Sequence, residues 1–210
     1  MKLTKDKKLW IPDNDNWFWR DGYEQKYFFE TMRYIPNRSV SLDVGAHVGI
    51  WTKRLSTIFE KVIAFEPIKS HVECWKENCK GINNIEIHEV GLSNKKDYVD
   101  MKVTQHNSGM STLEYDSTRI RTSKEEKVNV VTLDSLNLDK VDFIKIDTEG
   151  HELSVLEGAL DTIKKFNPSI FIEIHVQEFK KEKKADRFLI DLGYSLTLKL
   201  GGSNFLMKKV

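Results

Sequence analysis

The sequence contains little that would staple it or anchor it. Its 210 residues include two cysteines, Cys74 and Cys79. They lie five apart in a segment with helical periodicity and point to different faces. A disulfide or a metal pair is therefore not expected, which suits a reducing compartment. No apolar run approaches the ~20 residues of a membrane-spanning helix. The stretch Met1-Lys2-Leu3-Thr4-Lys5-Asp6-Lys7-Lys8 is polar and lacks the apolar core of a signal peptide. Neither sign of charge dominates: 33 Lys and Arg against 32 Asp and Glu leave a formal charge of +1. No basic patch stands out as a nucleic-acid footprint, and there is no acidic tail. Internal repeats and low-complexity segments are absent. The expectation is a soluble cytoplasmic protein with neither a nucleic-acid nor a membrane partner. The length suits one domain with a substantial core.

Strands alternate with helices along most of the chain. Residues 1–20 read as an irregular, aromatic-rich arm carrying Trp10, Trp17, Phe18 and Trp19. Tyr23, Tyr27, Phe28, Met32 and Ile35 recur at helical spacing over 21–35, and Pro36 ends that run. Strands are expected at 39–45, 61–66, 85–92, 142–147 and 169–176. Helices are expected at about 49–59, 70–80, 152–165 and 180–192. The second of these opens with a capping-box pattern, Ser70-x-x-Glu73, and buries Val72, Trp75 and Cys79. Gly193 suits the last helix's stop. Residues 93–131 break the alternation with two β-like runs around the polar segment Asn107-Ser108-Gly109-Met110-Ser111-Thr112. They read as an inserted hairpin or long loop, a feature that is often functional. The end, 194–210, reads as a hairpin. Such alternation implies a parallel sheet covered on both faces, with ligands bound at the carboxyl ends of its strands.

The stretch Ser41-Leu42-Asp43-Val44-Gly45-Ala46-His47-Val48-Gly49-Ile50-Trp51 carries the most information. An apolar strand runs into an acid, a glycine turn and a helix; the next strand ends in Ala64-Phe65-Glu66-Pro67. Gly45 allows a tight turn, and Gly49 allows close packing and leaves room for a ligand. The spacing is Gly-x-x-x-Gly, not the Gly-x-Gly-x-x-Gly of dinucleotide binders, which weighs against a nicotinamide-dependent oxidoreductase. A carboxylate at Glu66 can accept both hydroxyl protons of a ribose; the ordinary alternative is a structural turn and a solvated acid. A second cluster is Phe143-Ile144-Lys145-Ile146-Asp147-Thr148-Glu149-Gly150-His151-Glu152. A central strand tolerates unpaired charge poorly, so these groups belong at the open edge, with Asp147 facing the same cleft as Asp43. Glu149 and Glu152 could equally be helix N-terminal acids. In Ile170-Phe171-Ile172-Glu173-Ile174-His175, period-two alternation sets Phe171, Glu173 and His175 on one face. Asp147, Glu149, Glu173 and His175 are the candidate general bases, His175 having a suitable titration range. Asp147, Glu173 and His175 could instead be mixed metal ligands, although no tight spacing supports it, and no metal is expected. Trp17, Phe18, Trp19 and Tyr23 could line an acceptor pocket or simply pack. The 108–112 loop could act as a lid.

These residues together resemble the FkbM family of S-adenosylmethionine-dependent methyltransferases. The matching pieces are Leu42–Gly49, Ala64–Pro67, Asn78, Thr132-Leu133-Asp134, Ile144–Glu152, Leu156-Glu157-Gly158-Ala159 and Pro168–Glu173, in the family's order over roughly 40–176. The Lys-Ile-Asp-Thr-Glu-Gly block is the most specific. The resemblance implies an α/β class I methyltransferase fold, Rossmann-like and doubly wound. Its mostly parallel seven-stranded sheet would carry a C-terminal antiparallel hairpin and an inserted β-hairpin or loop after the third strand. Residues 1–38 would form an N-terminal arm and helix, and 39–210 a single methyltransferase domain with the insert at 93–131. It implies S-adenosyl-L-methionine as cofactor: its methionine part held by Asp43, Gly45, Ala46, His47 and Gly49, its ribose by Glu66 beside Pro67, its adenine near Glu89, Val90 and Gly91, and its methyl beside Asp147. A sugar or small hydroxylated metabolite would be the acceptor of an O-methylation. A cofactor-binding relative without catalysis remains the alternative. One departure is His47, where the family more often has Asn; altered loop contacts are expected rather than loss of binding.

Overall fold

The computed structural model describes residues 1–16, 22–104, 106–113, 123–174 and 184–210. The arm is more regular than expected: β1 (Lys2–Leu3) and β2 (Trp10–Ile11) form a short antiparallel pair. Next come α1 (Gln25–Met32), β3 (Val40–Val44), α2 (Ile50–Leu55), β4 (Lys61–Phe65), α3 (Lys69–Asn78) and β5 (Ile85–His88). The expected strand at 85–92 is split, because β6 (Gly91–Leu92) leaves the main sheet. It joins a hairpin of β7 (Asp97–Thr104) and β8 (Ser123–Val131), the expected insert. The chain then returns through β9 (Phe143–Ile146), α4 (Glu152–Glu157), α5 (Leu160–Phe166), β10 (Ser169–Glu173), α6 (Ala185–Asp191), β11 (Tyr194–Leu200) and β12 (Asn204–Lys209).

The main sheet runs β11-β12-β10-β9-β3-β4-β5. The five strands from β10 to the β5 edge are parallel, and β12 is antiparallel to both its neighbours. This is the expected doubly wound sheet with a terminal hairpin. Strand periodicity sorts its two faces. Leu42, Val44, Ile63, Phe65, Ile144, Ile146, Ile170 and Ile172 face one core with Leu156, Ile163 and Leu189 from α4, α5 and α6. Phe143, Phe171 and Val62 face the other with Phe28, Met32, Trp51 and Leu55 from α1 and α2. Each such side chain, fully buried, contributes roughly 1.5–3 kcal/mol. Asp43, Lys145 and Glu173 have the parity of this second face.

Two helix expectations change. Helix α3 begins at Lys69 with Ile68 at its N-cap, so Ser70 lies inside it and makes no cap. The orphan donor at its start is met by Glu66, whose Oε1 accepts the Ile68 N–H at 2.9 Å. The single helix expected at 152–165 is two, broken at Gly158 and Ala159. There the Gly158 carbonyl accepts the Asp134 N–H, and the Asp134 carboxylate accepts the N–H groups of Asp161 and Thr162 and the Thr162 hydroxyl. A residue outside the helix thus supplies the cap that starts α5. Cys74 and Cys79 are buried and unpaired with each other, and burial pushes both thiols up to about 12, so they are unreactive packing groups. No helix among the described residues is long and apolar enough to cross a membrane.

Replacing Asp134 with Ala removes three acceptor bonds at the start of α5. The expected loss is about 1 kcal/mol, read as a lower denaturation midpoint with an unchanged slope.

Candidate active site

Strands β3 and β9 are paired in register, so Asp43 and Lys145 are direct neighbours. Both side chains are almost wholly buried. Lys145 Nζ lies 3.5 Å from Asp43 Oδ1 and 3.5 Å from Asp147 Oδ2, and donates to the Gly45 carbonyl at 2.9 Å. Burial works against this ammonium, but Asp147, Asp43 and Glu24 outweigh it and hold it above the ordinary lysine range. Burial also pushes the Asp43 carboxyl up, against the pull of Lys145 and Thr52. Asp43 Oδ2 accepts the Thr52 hydroxyl at 2.5 Å, and Thr52 Oγ1 accepts the Trp75 indole N–H at 3.0 Å. Charged residues in a central strand are therefore paired into one network that ties β3, β9, α2 and α3 together.

That network sets the glycine loop. Gly45 has φ +73°, and a Cβ there would sit 1.9 Å from the Asp147 carbonyl oxygen. The loop must pass flush against the start of the β9–α4 connection, which a side chain would prevent. Gly49, at φ +91°, packs against Trp75 and Cys79 in the same way. His47, also left-handed at φ 50°, donates its N–H to Glu66 Oε2 at 2.9 Å. Glu66 Oε1 accepts the Ile68 N–H and lies 3.2 Å from His71 Nδ1. The carboxylate is thereby fixed at the end of β4, with lone pairs to spare.

Beyond the carboxyl ends of β3, β4 and β9 lies a cavity of about 310 Å³. Gly45, Ala46, His47, Glu66 and Pro67 line one side of it. Ile68, Leu92, Met101 and Leu113 give it an apolar pocket next to Glu66. Tyr23, Glu24, Asp147, Glu149 and Glu173 line the other end. Asp147 keeps 27% of its side-chain exposure. Glu24 Oε2 accepts the Trp51 indole N–H at 2.8 Å, and its carboxyl is pushed up by burial and then by Asp147. Burial, and then Glu24, Asp147, Glu173 and Glu149, raise the Tyr23 hydroxyl. Glu149 is left-handed, and its loop is held by buried Glu152, whose Oε1 accepts from Thr148 N–H, Thr148 Oγ1 and Gly150 N–H at 3.0 Å each.

Of the sequence candidates, the structure gathers Gly45, Ala46, His47, Glu66, Pro67, Asp147, Glu149 and Glu173 around one cavity. Asp43 is not on its wall: it is fully buried and acts through Lys145 and Thr52. Gly49 stands behind the wall as the start of α2. Val90 packs against the core, and Gly91 and Leu92 line the cavity instead. Glu89 pairs with Lys76 on the surface. Glu152 organises a loop. His175 lies outside the described residues, as do Trp17, Phe18 and Trp19; Tyr23 does line the cavity. Among the described residues no group of three or more His, Cys, Asp or Glu is placed to hold a metal ion. Sequence reasoning missed Lys145 and Glu24. A lysine flanked by isoleucines in a central strand was itself a signal, since such a charge must have a partner.

Several known proteins are similar to this chain in sequence or fold. The model of the methyltransferase FkbM domain matches residues 43–196. A protein of Beauveria bassiana named Methyltransferase 1 is 24% identical over 151 residues, covering 60% of this chain and 61% of that protein. The crystal structure of methyltransferase FkbM from Methylobacillus flagellatus aligns at a TM-score of 0.55 and 19% identity, over 81% of this chain and 43% of the other. A Streptococcus mutans protein solved in complex with SAH aligns at a TM-score of 0.51 and 12% identity, over 91% of this chain and 99% of the other. The chain thus spans under two thirds of the length of the first two proteins.

Lys145→Met should strand the buried Asp43 carboxylate and cost about 3–5 kcal/mol. Adding Asp43→Asn, which removes the stranded charge, should recover a large part of that loss in the same denaturation assay.

Proposed function

The chain belongs to the FkbM methyltransferase family, and from its cavity we propose that it binds S-adenosylmethionine and methylates a hydroxyl of a sugar or small hydroxylated metabolite. The observation that carries this reading is Glu66: a fixed carboxylate after the second parallel strand, facing a cavity across a Gly-x-x-x-Gly loop. The residues present fit the cofactor. Gly45 and Ala46 bring small residues of the loop to the cavity wall, and Gly45 is held there because a Cβ would meet the Asp147 carbonyl. Glu66 can accept the ribose hydroxyls, and Ile68, Leu92, Met101 and Leu113 offer an apolar slot for the base. Asp147 would lie toward the methyl donor. The cofactor, when bound, supplies an electrophilic methyl group on a sulfonium.

The chain's own part is alignment, exclusion of water and removal of one proton. As the methyl reaches the acceptor oxygen, that oxygen must lose its proton. Asp147 is the leading base, because Lys145 holds its carboxylate in place at the partly exposed end of the cavity. Glu149 and Glu173 stand on the same wall, and His175 is a further candidate outside the described residues. The carboxylate-rich end also suits a cofactor that carries a cationic centre.

Calorimetric titration should show binding of S-adenosylhomocysteine and none of NAD; the reverse would sink the reading. Glu66→Ala should weaken S-adenosylhomocysteine binding at least ~10-fold, the loss of one or more charge-assisted hydrogen bonds. A screen of glycans and hydroxylated metabolites with labelled methyl donor should identify the acceptor. With it, Asp147→Asn should lower turnover by about 10²–10⁴-fold; wild-type turnover in that variant would remove Asp147 from the role of base.

A further inference from the structure

The insert that follows β6 does more than extend a surface hairpin. Residues 106–113 run along the cavity, with Asn107, Ser108, Met110 and Leu113 in its lining. Three separate parts of the chain grip this segment. Asp15 of the arm is 1% exposed, and its Oδ2 accepts the Ser108 N–H at 3.0 Å and the Ser108 hydroxyl proton. His47 of the glycine loop brings its Nε2 to 2.6 Å from Ser108 Oγ. At the far end, Thr112 Oγ1 donates to the Glu149 carbonyl at 2.8 Å. The arm is itself pinned. Asn78 of α3 accepts the Trp10 N–H at 2.7 Å and donates to the carbonyls of Trp10 and Val48 at 2.9 and 2.8 Å.

The hydrogen positions follow from counting. Ser108 has one hydroxyl proton, and the Asp15 carboxylate takes it as a charge-assisted bond. Ser108 Oγ can then only accept from His47, so the imidazole carries its proton on Nε2. A neutral ring suits that role, and burial together with His71 and Lys145 holds the His47 pKa well below its ordinary value. At this position the resemblance drawn from the sequence implies Asn more often than His. Asn would tolerate the left-handed backbone and keep the N–H bond to Glu66, but its side chain is shorter than an imidazole.

We propose that residues 106–113 form a strap across the cofactor cavity, and that Asp15 and His47 are positioning residues that latch it at Ser108. The strap links the side of the cavity that carries Glu66 to the side that carries Glu149. In this proposal the cofactor leaves past the strap, so the latch sets the release rate. This rests on the cavity being the cofactor's site.

Two readouts test it on the whole protein: the rate of S-adenosylhomocysteine release, and hydrogen exchange of the 106–113 amides without ligand. Asp15→Ala should speed release at least ~10-fold and speed exchange in the strap, leaving exchange in β9 and β10 unchanged. Asp15→Asn should restore near-wild-type values, because one amide oxygen can accept both Ser108 donors. His47→Asn should speed release severalfold. Ser108→Ala, which keeps the backbone bond to Asp15, should fall between Asp15→Ala and wild type, and it serves if Asp15→Ala does not fold. Release within twofold of wild type in both Asp15→Ala and Ser108→Ala, or strap exchange unaltered in both, would overturn the latch. Failure of the wild type to bind S-adenosylhomocysteine would instead overturn the cofactor reading, and the strap's role with it.

Discussion

A buried ammonium stands between two carboxylates at the junction of β3 and β9, and the site is built outward from it. Lys145 neutralises Asp43 below the loop and holds Asp147 at the cavity edge, while its donor bond fixes the Gly45 carbonyl. A central parallel strand would ordinarily be apolar throughout. Here Phe143, Ile144 and Ile146 are, and the one charged member of the strand is buried with them. Desolvating such a group is costly unless the geometry satisfies it. The fold satisfies it by register, since Asp43 is its paired neighbour on β3. The same contact that stabilises the core therefore orients the loop and Asp147.

The strand and helix order was legible because a strand period of two and a helix period of 3.6 leave different marks. Ile170, Ile172 and Phe171 fall on the faces that the alternation implies. Glu66, Asp147 and Glu173 were legible as carboxylates at strand ends. What the sequence hid was set by partners distant along the chain. Asp134 splits a continuous apolar stripe into α4 and α5 by capping the second half from 27 residues away. Glu66, not Ser70, satisfies the start of α3. Asp43 looked like a pocket wall and is instead a buried counter-ion, because the parity of β3 turns it under the sheet toward α2. Short motifs report which residue types are present; pairing across strands decides which of them meet the ligand.

His47 shows how one side chain of the glycine loop can recruit a segment outside the main sheet. The backbone keeps the left-handed turn and the bond to Glu66, while the larger ring reaches a segment that lies outside the core fold. The arm and the insert meet at Asp15 and Ser108. Variation in such loops can change access and acceptor choice while the sheet and its charged centre stay constant.

We propose that the Lys145-centred edge of the sheet presents Glu66 and Asp147 to one molecule of S-adenosylmethionine. A crystal structure with S-adenosylhomocysteine bound tests this most directly. Ribose hydroxyls are expected on the Glu66 carboxylate, with the thioether sulfur between the Gly45 loop and Asp147. A ligand seated elsewhere, or one whose ribose makes no contact with Glu66, would contradict it.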